Sequence, residues 1–137
     1  VMSADQKPLG LTRTILGIDR ERGALLLAGD LPSDGYVQLM HASTDQLVNG
    51  AEEAARATVA RLSGTQPGLA LLVSCIGRKI VMGTRTDEEV EAVIQAFPQG
   101  SRATGFYSNG EISPLLDTVG CGLHNQTMTV SFLHERG

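Results

Sequence analysis

The sequence predicts an α+β domain, an α/β sandwich in which a mixed, largely antiparallel sheet of about six strands carries two main helices in the order ββ-β-α-β-α-β-β. Three observations predict it. Two apolar stripes at helical spacing each open on a Ser/Thr-x-x-Gln/Glu box, one uninterrupted apolar run spans Leu69 to Cys75, and turn signals bracket short apolar segments at both ends of the chain.

Arg13 to Asp19 and Ala24 to Ala28 are apolar-rich runs separated by Arg20-Glu21-Arg22-Gly23, which predicts a β-hairpin. After the Gly29 to Gly35 breaker, Tyr36 to His41 reads as a third strand with both faces covered. Ser43 and Gln46 have capping-box spacing, and Leu47, Ala51, Ala55, Val59 and Leu62 then repeat at helical intervals, so a helix is expected over about 45–62. Its stripe is mostly alanine, which permits close approach to a sheet.

The run Leu69 to Cys75 reads as a central strand covered on both faces. Thr86 and Glu89 make a second capping box before Val90, Val93, Ile94 and Phe97, which predicts a helix over about 87–97 closed by Pro98 and Gly100. Ala103 to Ser108 reads as a strand leading into the Asn109-Gly110 turn, and Gln126 to His134 alternates as the last strand. The whole of 1–137 reads as one domain, with 1–12 as a linker or flexible lead-in.

Composition limits the function classes. With a formal charge of -4 and a pI near 5.3, the chain lacks the clustered Lys and Arg that a nucleic-acid partner requires. Its longest apolar run, Leu69 to Cys75, is far short of the roughly 18 to 20 residues that cross a bilayer, and no signal-peptide pattern opens the chain, so a cytoplasmic address is expected. The chain opens on Val1 rather than Met, and an upstream segment is therefore expected. Cys75 and Cys121 give no disulfide framework and are expected as reduced thiols.

Polar and special residues concentrate in Ser74 to Arg78 and in the stretch from Gly105 to Thr129. The first lies at the end of the central strand, where α/β sheets favour ligands. Arg78 has the planar fork that suits a ligand carboxylate, and Glu111 could accept from a ligand ammonium; equally, the two could pair with each other. Tyr107, Ser108, His124, Asn125 and Thr127 complete a candidate polar pocket, with core or turn roles as the alternative for each. Cys75 is a candidate nucleophile with His124 as its base, or a buried structural thiol. Cys75, Cys121 and His124 offer three zinc-type ligands but no fourth, and the scattered glycines form no nucleotide fingerprint, so neither a metal nor a cofactor is expected.

Three linked strings carry a family resemblance: Ser74-Cys75-Ile76-Gly77-Arg78, then Gly105-Phe106-Tyr107-Ser108-Asn109-Gly110-Glu111-Ile112, then Leu123-His124-Asn125-Gln126-Thr127-Met128. In this order and spacing they resemble the C-terminal half of a FIST-type sensory module, over about Tyr36 to His134. The resemblance implies an intracellular signal-transduction role without catalysis, the binding of a small polar metabolite such as an amino acid, a preceding N-terminal FIST half and a signalling output domain. Two other classes compete with it. One is a thiol-dependent enzyme built on Cys75 and His124; the other is an interaction module in which the N-terminal half, or a second copy as a homodimer, covers one sheet face.

Overall fold

The computed structural model describes residues 1–2, 10–62, 64, 66–114 and 121–135. Along the chain come β1 (Ile15–Asp19), β2 (Ala24–Leu27), α1 (Thr44–Val59), β3 (Leu69–Cys75), α2 (Ile76–Met82), a 3-10 turn (Gly83–Arg85), α3 (Thr86–Ala96), β4 (Arg102–Ser108), β5 (Glu111–Pro114), β6 (Cys121–His124) and β7 (Met128–Leu133). The fold is α+β with mixed pairing. β3 is central, with β4 parallel on one side and β7 antiparallel on the other.

The core lies on one face of this three-stranded sheet. Strand side chains alternate between faces, so Ala70, Leu72 and Ser74 of β3 share a face with Ala103, Gly105 and Tyr107 of β4 and with Met128, Val130 and Phe132 of β7. Ala51 and Ala55 of α1 and Val93 of α3 are fully buried against that face. Small residues at the helix contacts allow this approach, and Phe97 closes the layer by stacking on Phe132 with centroids 4.4 Å apart.

α1 opens as its sequence requires. Ser43 Oγ accepts from Gln46 N at 3.3 Å while Gln46 Oε1 accepts from Ser43 N at 2.8 Å, completing the capping box. The box expected at Thr86 and Glu89 does not form. The 3-10 turn runs directly into α3 with helical backbone at Thr86, and the Glu89 side chain turns into the protein interior instead. Asp87, Glu88 and Glu89 still place three acidic groups in the first turn, where the helix dipole favours them.

Other differences have physical causes. The expected third strand, Tyr36 to His41, does not form; Tyr36 alone bridges Met2, with N···O distances of 2.8 and 3.0 Å, and the segment is otherwise exposed. Apolar residues on both faces of that segment gave no single buried side to fix it on a sheet. Among the described residues the strands also divide into three sheets, since β1 pairs only with β2 and β5 only with β6. α2, β5 and β6 are additions to the expected order. Gly77 lowers the helical signal of α2, and Pro114 with Gly122 hides the β5–β6 pair.

β3 was expected to be covered on both faces, and one is open. Leu71 is 37% exposed there, beside Phe106 at 61% and Leu133 at 62%. Among the described residues no helix is long and apolar enough to cross a membrane.

Candidate functional site

The carboxyl ends of β3 and β4 hold the buried polar groups, in two clusters. On the helix-covered face, Glu89 from α3 is fully buried and gathers four hydrogen bonds. Its Oε1 accepts from Ser74 Oγ at 3.1 Å and from Tyr107 Oη at 2.8 Å. Its Oε2 accepts from Arg78 Nε at 3.1 Å and Nη2 at 2.8 Å, and the same Nη2 donates to the Leu47 carbonyl at 2.7 Å. The pair therefore ties α2, α3, β3, β4 and the start of α1 together.

Burial, and next the hydrogen bond to Glu89, push the Tyr107 hydroxyl up to about 12. Lys79 Nζ sits 5.0 Å from the centroid of the Tyr107 ring.

The second cluster lies on the opposite sheet face. Ser108 follows Tyr107 and so points the other way, and Thr127 precedes the core residue Met128 while its carbonyl accepts from Cys75 N at 3.0 Å. Both hydroxyls donate to Glu111, Ser108 Oγ to Oε1 at 2.7 Å and Thr127 Oγ1 to Oε2 at 2.6 Å. His124 is the cross-strand partner of Glu111 and meets the Ser113 carbonyl through Nε2 at 3.1 Å. Asn125 is buried; its Nδ2 donates to the His124 carbonyl at 3.1 Å and its Oδ1 accepts from Thr14 N at 3.4 Å.

Of the sequence-predicted residues, Ser108, Glu111, His124, Asn125 and Thr127 come together, and Arg78 joins Tyr107 through Glu89. The ion pair open to Arg78 and Glu111 is not made: Arg78, 3% exposed, pairs with Glu89. Among the described residues the two clusters share no hydrogen-bonding residue, and neither Arg78 nor Glu111 lines the cavity beside Tyr107. Ser74 and Glu89 were missed. Glu89 has cap spacing in the sequence, whereas Ser74, the one hydroxyl inside the apolar run of β3, signals that something polar lies opposite it.

A cavity of about 170 Å³ opens beside the first cluster. It lies between α3 and the helix-covered face of the sheet, walled by Leu72, Val90 and Met128, with Ser74, Glu89 and Tyr107 at its polar side and residues 103–107 of β4 along its mouth. A shallower depression of about 530 Å³ lies at the other end of β3, lined by Gln66 to Gly68 and Leu133 to Glu135. It contains no buried ionisable group and is remote from the polar clusters. Cys75 is 2% exposed and Cys121 is exposed; neither forms a disulfide. Among the described residues no group of three His, Cys, Asp or Glu side chains is disposed around a common point.

The family model of the FIST C domain matches residues 4–114, which takes in α1 to α3, Glu111 and every cavity-lining residue but Met128, and stops short of His124, Asn125 and Thr127. Neither a curated protein nor a solved structure matches the chain. With the match extending over most of its length, the chain belongs to the FIST C domain family, a family of signal-transduction sensory domains.

Proposed function

We propose that the chain is a small-ligand sensor without catalytic activity, and that its ligand is an amino acid or a similarly small metabolite bound in the cavity beside Tyr107. The observation that supports this reading is the cavity itself: about 170 Å³, mainly apolar, with the hydroxyls of Ser74 and Tyr107 and the Glu89 carboxylate, itself paired with Arg78, on one wall. Size limits the occupant. An apolar cavity of about 150 Å³ suffices for benzene, and drug-sized ligands need roughly 300 Å³ or more, so the ligand has a side chain of leucine or phenyl scale.

In this reading Tyr107 contacts the ligand, while Arg78 acts by holding Glu89. Glu111, Ser108, Thr127, His124 and Asn125 hold the β5–β6 pair against the sheet end. Signalling follows from the wall. Val90 and Glu89 belong to α3, and an occupant that touches one seating of α3 better than another shifts the population toward it. That shift is what an attached output domain would read. No reaction is assigned to Cys75, because a thiol 2% exposed is shielded from substrate.

The test is a thermal-shift screen of amino acids and short metabolites. A ligand at about 100 times its Kd stabilises the native state by about 2.7 kcal/mol, which is a readily measured rise in Tm. Val90→Trp, which fills the cavity from a position 40% exposed, should remove the rise without unfolding the chain. Absence of any shift across compounds of this size would reject the proposal.

A second reading is favoured by the open sheet face. Leu71, Phe106 and Leu133 are exposed side by side, as a face paired with another domain or a second copy would be. Sedimentation that finds a monomer at high concentration would remove the second copy.

A further inference from the structure

We infer that the cavity recognises its ligand through the main chain of β4, and that the ligand class is therefore an L-amino acid residue with an amide on each side, as in an N-acyl amino acid amide or the interior of a short peptide. This rests on the cavity being the ligand site and specifies what it takes.

The polar side chains at the cavity are already committed. Glu89 accepts four hydrogen bonds, two at each oxygen, which fills the lone-pair sites of a carboxylate. The Tyr107 hydroxyl spends its single proton on the same carboxylate. An ammonium or carboxylate group entering the cavity thus finds no lining side chain free to neutralise it, and an ionised group left unpaired there is heavily penalised. Recognition has to come from elsewhere.

The open strand edge supplies it. β4 ends the three-stranded sheet, and among the described residues no strand pairs with its outer side. Parallel pairing with β3 uses the amide and carbonyl groups on one side only, and those of the intervening residues project outward. Five consecutive residues of β4, 103–107, line the cavity. Arg102 N donates to the Gly68 carbonyl, so residues 102, 104 and 106 turn their main-chain groups toward β3, while those of Ala103, Gly105 and Tyr107, whose side-chain positions share the cavity's sheet face, project outward. Residues 103–107 include no Lys or Pro to block strand addition. An extended ligand amide can add to such an edge as peptides do in strand-addition complexes, with its own alternation directing one apolar side chain between Leu72, Val90 and Met128.

Calorimetry on the full chain tests this with four probes: N-acetyl-L-leucine N-methylamide, its D enantiomer, its analogue methylated at the leucine nitrogen, and 3-methyl-1-butanol as the side chain alone. The L-diamide should bind at least about tenfold more tightly than each of the others, the effect of about two net hydrogen bonds. It should lose that binding in Val90→Trp, with folding of the variant checked by circular dichroism. Equal affinities for all four probes, lost together in Val90→Trp, would overturn edge recognition and leave the cavity as the ligand site. L-diamide binding that survives Val90→Trp would place the ligand elsewhere and overturn the inference. Failure of all four to bind would overturn it together with the reading it rests on.

Discussion

Tyr107 and Ser74 donate to the same oxygen of Glu89, at 2.8 and 3.1 Å, from directly paired positions on β4 and β3. The opposite oxygen takes the fork of Arg78. A helix, two strands and the helix that follows the central strand therefore meet at one buried carboxylate. Removing one member of the ion pair leaves the other charge buried alone, so Glu89→Ala and Arg78→Ala should each cost about 3–5 kcal/mol in urea unfolding. Replacing both together by apolar residues of similar volume should cost less than either single change. A double variant no more stable than its parents would contradict the view that the ion pair's main effect is to satisfy its own members.

The same contact sets an alkaline limit. The Tyr107 hydroxyl titrates in the fold at about 12, above its ordinary value of about 10, because the neutral form is the one that burial and the bond to Glu89 favour. A group whose folded value is raised stabilises fully below its unfolded value and loses that contribution as pH rises through the folded one. The stability difference between the native chain and Tyr107→Phe should thus hold steady up to about pH 10 and fall between about pH 10 and 12. Urea unfolding across that interval checks it, and a constant difference would reject the assignment.

Much of the layer architecture was legible because short-range chemistry and burial agreed. The Ser43–Gln46 box and the alanine stripe placed α1, and the run Leu69 to Cys75 marked β3 as central. Where they disagreed, the tertiary structure decided. Glu89 had cap spacing, but its partners Arg78, Ser74 and Tyr107 come from three other elements that no local pattern could foresee. The residues at the two strand ends were recognisable as polar and clustered in sequence. That they divide between two sheet faces follows from the parity of each position in its strand, fixed only once the register of β3 with β4 and β7 is known.

Gly105 sits where β4 presses closest to β3. A Cβ at this position would overlap the main-chain oxygen of Leu72, which cannot move without breaking the sheet. At Gly77 an added Cβ meets the end of the Gln126 side chain, which can swing aside. Gly105→Ala should therefore destabilise by about 1–3 kcal/mol, as overpacking typically does, and Gly77→Ala by clearly less. Chemical denaturation of the two variants gives the order, and a reversed order would mean that the Leu72 backbone yields more readily than the glutamine.

Thiol labelling separates the two cysteines. Cys121 is exposed and should react with a maleimide or disulfide reagent at the rate of a free thiol, whereas Cys75, closing β3 at 2% exposure, should react only through opening of the sheet end. Mass spectrometry after short labelling at neutral pH should find the modification on Cys121 alone. Fast labelling of Cys75 would restore the nucleophile reading, with His124 as its base.

Whether the Arg78 and Glu111 clusters act as one site is a question of coupling. Thr127→Val removes a 2.6 Å donor from Glu111 without changing side-chain shape, and should cost about 1.5–3 kcal/mol, as hydrogen bonds to charged groups do. Tyr107→Phe removes a donor from Glu89 on the other sheet face. Since the clusters have no hydrogen-bonding residue in common among the described residues, the double variant should equal the sum of the singles within about 0.5 kcal/mol. A larger coupling would mean that strain passes through β3 between its faces, and that an occupant of the Tyr107 cavity is felt at the β5–β6 pair as well as at α3.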